Sequence, residues 1–435
     1  MSKQFLPLIS FIFFLFYSCS NYTSDSRVPL STNSIEASDL YHEAIALNDI
    51  YKGNEAKEKL LEAVKIDPGF AAAYLLLSTF NTNSVSETDK YYDKAVSLKD
   101  KMNDVERCFL DIRSSYRQND ISKRVLASEK LVGLIPYNAI AHERMAYTNY
   151  EMANIEGSRQ SALKAIQCDK YYSPAYTILV NSYTFVEPKS FDQAELYAKK
   201  VLSFNKNKSF YHVMLGDVYR AQNNLEKAAK KYDDAFQVGT NNWLSAAKAG
   251  HAYTMFDPIE ARKRFDQAIN EARTNNQKIG PEYAKVYTFL HQNEFSKALE
   301  QVKAIKQSLN GYGFTSQEVE SELSDLLWHE YFIFSHSGQY ERAKQALAEK
   351  RKIDIALAKL SKNERSVYDT ESTLLWMESH LEIMKGNYDD AKLKLSNLKQ
   401  RFLDASDPKR FDGYNNLMGM ANLMSGNAAK GVQHF

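Results

Sequence analysis

The chain has 435 residues, 44% hydrophobic and 25% charged, an ordinary globular balance that excludes wholesale disorder. Lys and Arg number 55 against 54 Asp and Glu, a net charge of +1, so no global field draws in nucleic acid. The 16 Gly and 9 Pro are too few for a β-sandwich or a Gly-rich nucleotide fold, and with abundant Ala, Lys, Glu and Leu the composition reads as helix.

Residues 1–18 begin with a short positive start at Lys3, followed by an apolar run from Phe5 to Tyr17. That run is too short to span a bilayer as a helix and fits the core of a secretory signal peptide. It ends at Phe16-Tyr17-Ser18-Cys19. A small residue directly before a Cys at this place resembles the lipobox of bacterial lipoproteins. It departs from that pattern upstream, where Phe16 and Tyr17 replace the usual Leu and small residue. The resemblance implies that Cys19 carries the lipid and that Ser20 after it directs the protein to the outer membrane, facing the periplasm. Residues 19–38 are Ser-rich with no helical period, and are expected to form a flexible tether with a reach of roughly 24 Å.

From 39 onward the sequence repeats. In 210–236, Leu215, Gly216 and Tyr219 share one helical face, Asn223-Asn224 breaks the helix, and Ala228, Tyr232 and Ala235 form one face of a second. This resembles the tetratricopeptide repeat, in which two antiparallel helices pack within about 34 residues. Small residues sit where the helices cross and large ones fill the gap beside them. Here Gly216 and Ala228 take the small places, and Tyr219 and Tyr232 the large ones. The equivalent positions Ala56, Thr88, Arg124, Ser158, Ala194, Ala228 and Ala261 lie 32 to 36 residues apart, with Arg124 departing from the small residue. The signature continues at Ala298, Ala343 and Ala391 with longer steps, and in a last unit at Leu417-Met418-Gly419 with Gly431.

The expected fold is therefore all-α, a solenoid of stacked antiparallel helix pairs, which the resemblance makes a right-handed superhelix. A regular array is expected over 39–305 and a looser one over 306–435. The stretch 306–320, with Gly311 and Gly313, reads as a loop where the array pauses and divides into two segments. The stretch 353–368, with Ile353, Ile355, Leu357 and Leu360, suggests a longer helix or an extra turn. The final unit stops at Phe435, two turns into its second helix. It is expected to be incomplete through truncation, fraying or docking, since solenoids usually end in a cap with a polar outer face.

No catalytic constellation stands out. The nine His form no HExxH, and the sequence holds no phosphate-loop, dinucleotide or nucleophile-elbow motif. His329 and His336 lie two turns apart on one helix and read as unrelated. No metal, cofactor or nucleic acid is expected. Cys108 and Cys168 read as small buried hydrophobes with no disulfide between them, and Trp243, Trp328 and Trp376 as core. The family's concave groove, lined by the first helix of each pair, implies a binding face. On the cleanest repeats Glu143, Tyr147, Tyr150, Tyr176, Tyr183, Asp217 and Arg220 fall opposite the second helix and are the groove candidates. The resulting expectation is a non-catalytic, membrane-tethered scaffold for a protein or peptide partner. A carbohydrate- or nutrient-binding lipoprotein of an outer-membrane uptake system is the alternative, and three exposed aromatics converging on a loop-built pocket would mark it. A weaker third reading is an assembly factor for outer-membrane proteins.

Overall fold

The computed structural model describes residues 27–49, 52–80, 83–239, 243–360, 364–404 and 411–434; the expected signal peptide and Cys19 lie outside them. The described residues contain helices and no strand, and the chain divides into two compact units, Met1–Asn205 and Lys206–Phe435.

The first unit holds five helix pairs. They are α1 (Ile35–Asp49) with α2 (Gly53–Ile66), α3 (Ala71–Leu77) with α4 (Val85–Ser97), α5 (Asp104–Gln118) with α6 (Ile121–Leu134), α7 (Ala139–Glu151) with α8 (Ile155–Cys168), and α9 (Ser173–Phe185) with α10 (Phe191–Phe204). The second unit holds six. They are α11 (Ser209–Ala221) with α12 (Leu225–Val238), α13 (Trp243–Tyr253) with α14 (Pro258–Glu271), α15 (Asn275–His291) with α16 (Phe295–Ser308), α17 (Ser316–His336) with α18 (Tyr340–Leu360), α19 (Glu364–Lys385) with α20 (Tyr388–Asp404), and α21 (Phe411–Met424) with α22 (Ala428–Val432). One pair cannot bury its own apolar face, so within each unit the pairs pack on their neighbours and a core runs along that unit.

Seven of the eleven pairs turn on a left-handed residue. Asn119, Ala153, Asn223 and Asn293 take it at φ near 57°, and Gly338, Gly386 and Gly426 take the same place in later pairs. Asn and Gly tolerate this conformation, so the break before the second helix is written locally there. The next side chain then caps that helix. Asp120, Asn154 and Asn224 accept from the backbone N–H of Lys123, Gly157 and Lys227.

The crossing residues behave as the repeat pattern predicts. Ala56, Leu60 and Ala63 are fully buried, as are Ala228, Tyr232 and Ala235, and Ala261, Phe265 and Ala268. At Gly216 a Cβ would stand 2.6 Å from Tyr232 Cε1, and at Gly250 one would stand 2.5 Å from Phe265 Cε1. The departure at Arg124 is absorbed. Its guanidinium lies 3.5 Å over the Tyr116 ring, Nε donates to Ser115 Oγ at 3.2 Å, and Glu151 pairs with it.

Two expectations are corrected. The loop over 306–320 is mostly helix: α16 runs to Ser308 and a 3-10 turn covers Leu309–Tyr312. Leu309 continues the buried row Val302, Ile305, and Thr315 forms a capping box with Glu318 to start α17. The longer steps come from longer helices, with α17, α18 and α19 at 21, 21 and 22 residues. The second correction concerns the tether. Residues 27–34 lie docked against the first unit, and α1 already begins at Ile35. Val28 is 3% exposed among Val105, Cys108, Ile112 and Leu131, and that burial holds this stretch in place. Cys108 is buried, as expected, whereas Cys168 is only half-buried. Trp328 and Trp376 lie inside α17 and α19 and pack on the core, with Trp376 Nε1 donating to Gly413 O at 3.0 Å.

Candidate functional site

The first helices of the first four pairs of the first unit face one cavity. Tyr41, Ile45 and Asp49 of α1, Ala72 and Leu75 of α3, Phe109, Ile112 and Arg113 of α5, and Ile140, Glu143, Arg144 and Tyr147 of α7 line one cavity of about 460 Å³, together with Tyr172 and Pro174. Apolar side chains form most of the wall. Both signs of charge are present on it, and that mixture suits a polypeptide with its own alternating polar and apolar groups.

The charged side is tightly organised. Tyr172 Oη donates to Glu143 Oε2 at 2.9 Å, and the Arg144 guanidinium stands 3.7 Å from the same oxygen. Glu143 is 6% exposed, and it holds Arg144 firmly protonated. Burial, then the Glu143 carboxylate, pushes Asp49 up to about 7, with Arg144 opposing. Burial also raises the phenols of Tyr41 and Tyr172. Near neutral pH the acidic wall therefore gains or loses a proton as its surroundings change.

Of the groove candidates, Glu143 and Tyr147 line this cavity. Tyr150, one turn further along α7, is exposed outside it. Tyr176 and Tyr183 do not face a groove. Tyr176 is 3% exposed, with its ring against Tyr197 and Phe204 of α10 and its hydroxyl donating to Lys170 O at 2.9 Å. Tyr183 stacks on Tyr197 at 6.1 Å and carries the Arg159 guanidinium at 4.0 Å. These rings fill the space beside the second helix of their own pair, the role the pattern assigns to large residues. Asp217 and Arg220 belong to the second unit. Asp217 is consumed internally, accepting from Tyr232 Oη at 2.7 Å and Lys248 Nζ at 2.6 Å, while Arg220 is half exposed. Arg113, Arg144 and Tyr116 were missed by sequence reasoning; the signal available was their first-helix position.

The histidines regroup in the second unit. His329 stacks on Tyr283 at 5.0 Å, whereas His336 stacks on His380 at 5.3 Å. Tyr331 Oη donates to Met377 O at 2.6 Å, so the His380 Nδ1 at 2.8 Å carries the hydrogen of that second bond. Burial and the neighbouring His336 push His380 down to about 4. The unfolded chain then binds a proton that the folded state refuses between pH 6.5 and 4. Stability conferred by the neutral ring is complete above 6.5 and is lost as pH falls toward 4, by up to about 3 kcal/mol. Denaturation of the second unit at pH 7 and pH 4.5 should show this slope, and His380→Phe should flatten it; an unchanged slope would contradict the assignment.

Among the described residues no cluster of three or more His, Cys, Asp or Glu could hold a metal ion, and no helix is long and apolar enough to cross a membrane. The cavity carries two aromatics well exposed to solvent, Tyr116 and Tyr147, both on helices.

Stacked antiparallel helix pairs, with small residues at most of the crossings, are the arrangement that the repeat pattern implies. No protein-family model and no curated protein matches the chain. Among solved structures the chain is similar to a tetratricopeptide repeat protein from Parabacteroides merdae ATCC 43184, at 13% identity over 66% of this chain and 98% of that one, with a TM-score of 0.34. It is also similar to MamA, at 19% identity over 36% of this chain and 92% of that one, TM-score 0.33. A third is PilW, a type IV pilus biogenesis factor, at 14% identity over 46% and 92%, TM-score 0.33.

Proposed function

We propose that the chain is a non-catalytic scaffold, tethered through a lipid on Cys19 to the outer membrane and facing the periplasm, whose first unit binds an extended polypeptide along its first helices. The single observation that carries the binding part is the cavity. It draws on the first helices of consecutive pairs, and its wall offers apolar, aromatic and charged contacts together. A glycan site would need more exposed aromatics on loops, so the polypeptide reading is favoured over nutrient uptake. The tether reading rests on the sequence around Cys19.

Affinity purification from the native cell tests the binding face. Tyr147→Arg should reduce the co-purified protein partner at least tenfold, while Leu196→Arg, on the exposed side of α10, should leave it unchanged; equal retention by both variants would count against the groove. For the anchor, Cys19→Ala should move the protein to the soluble fraction or leave an uncleaved precursor, and unchanged membrane fractionation with normal processing would remove the lipid from the account.

A further inference from the structure

Residues 27–32 read Arg-Val-Pro-Leu-Ser-Thr and lie extended across the first unit. Proline at 29 holds Val28 in an extended conformation and itself offers no N–H. In an extended chain alternate side chains share a face, and here they do. Arg27 and Pro29 are exposed, whereas Val28 is buried with Val105, Cys108, Ile112 and Leu131, and Leu30 packs on the cluster of Tyr41, Leu60 and Phe70. Thr32 Oγ1 donates to Asp67 Oδ2 at 2.6 Å. The main chain is read as well: Asn103 Nδ2 donates to Pro29 O at 3.0 Å, Ser31 N–H donates to Glu106 Oε1 at 3.0 Å, and His42 Nε2 stands 3.3 Å from Val28 O. Glu106 is fully buried, and its other oxygen accepts from Asn103 N–H at 2.9 Å, so the cap of α5 and the docking of the segment share one carboxylate. Val28 also forms part of the wall of the 460 Å³ cavity.

We infer that residues 27–32 are a built-in ligand of this face, and that the partner is an extended segment of the same kind, with a branched apolar anchor followed by proline, which exchanges with it. The inference rests on the polypeptide-binding reading of the first unit and names the partner's chemistry. A surface that satisfies one extended chain through side-chain donors, a buried acceptor and two apolar seats accepts another with equal register, and the covalent copy competes at high effective concentration. Partner binding is thereby held back until the segment leaves.

The test uses the full chain and a fluorescent synthetic peptide with the sequence of residues 27–34. Wild-type protein should bind it weakly. Val28→Asp, which expels the anchor, should bind it at least tenfold more tightly, and a peptide carrying Asp in place of its valine should not bind. Because Asp at 28 could disturb folding, Ser31→Pro supplies a second variant. It removes the N–H donated to Glu106 without placing a charge in the apolar seat, and should also raise peptide affinity, with unchanged helical circular dichroism. Cys108, 1% exposed beneath the segment, gives an independent readout in a background with Cys19 and Cys168 replaced by Ser. Its reaction with a thiol reagent should accelerate at least tenfold in Val28→Asp and slow again when the peptide is added. Peptide binding no tighter in either variant than in wild type overturns the inference. Failure of the groove reading looks different: peptide exchange would occur, yet Tyr147→Arg would leave partner recovery unchanged.

Discussion

Gly216→Leu should destabilise the second unit by about 3 kcal/mol or more, among the larger single-residue effects in the chain. Taken alone, replacing a helical glycine gains up to about 1 kcal/mol in propensity. Here the added Cβ meets Tyr232 Cε1 at 2.6 Å and Cδ1 at 2.8 Å, inside any normal contact. The ring cannot swing away, because it is fully buried and its hydroxyl is held by Asp217, which Lys248 holds in turn. Overpacking of about 1–3 kcal/mol for a methylene or two grows with a whole isobutyl group, so the clash outweighs propensity. Urea denaturation, followed for the second unit because two units need not unfold together, reads the effect. A Gly216→Ala, Tyr232→Leu pair should recover much of the loss of the single Ala variant. A midpoint for Gly216→Leu equal to wild type would mean that the helices do not cross there.

Arg159→Leu should cost the first unit about 3 kcal/mol, although it replaces a charge with an apolar group. Arg159 is 3% exposed. Its Nε donates to Ser182 Oγ at 3.2 Å, and one terminal nitrogen reaches Ser182 O at 2.8 Å, Pro188 O at 2.9 Å and Val186 O at 3.3 Å. Those carbonyls lie at and just beyond the end of α9, where a helix leaves acceptors without intrahelical donors. Hydrogen bonds to a charged group contribute about 1.5–3 kcal/mol, and the stacking on Tyr183 adds about 1. Arg159→Lys should lose most of this, since an ammonium lacks the planar fork. Denaturation midpoints of the three proteins measure it, and a loss under 1 kcal/mol for both variants would show that water satisfies the carbonyls equally well.

The helix pairs were legible because small and large residues at fixed spacing are a packing requirement, visible at Gly216 with Tyr232 and again at Gly250 with Phe265. Binding-face residues were harder. Glu143 and Tyr147 were found because they lie opposite the second helix on a clean repeat. Tyr176 and Tyr183 failed because a tyrosine near the second helix serves as well for filling as for display, and helical angle alone does not separate the two. Arg159 was invisible for a related reason: it follows Ser158, the small crossing residue, and its guanidinium reaches the next pair, which only a three-dimensional arrangement reveals. Arg262, after Ala261, repeats it, lying 4.5 Å over Phe289 and donating to Thr288 Oγ1 at 3.0 Å. The docked segment was missed because Val28 and Leu30 alternate with period two over only a few residues, too short a run to register against a Ser-rich background.

The most direct test of the polypeptide-binding face places a photo-crosslinking amino acid at Tyr147, inside the cavity, or at Leu196, 56% exposed on α10, in the full chain in its own cell. Mass spectrometry of the adducts should find one extended segment of a partner protein joined at 147 and nothing at 196. Equal adducts at both positions, or none at 147 with the protein folded and at its normal level, would contradict a binding face on the first helices of this unit.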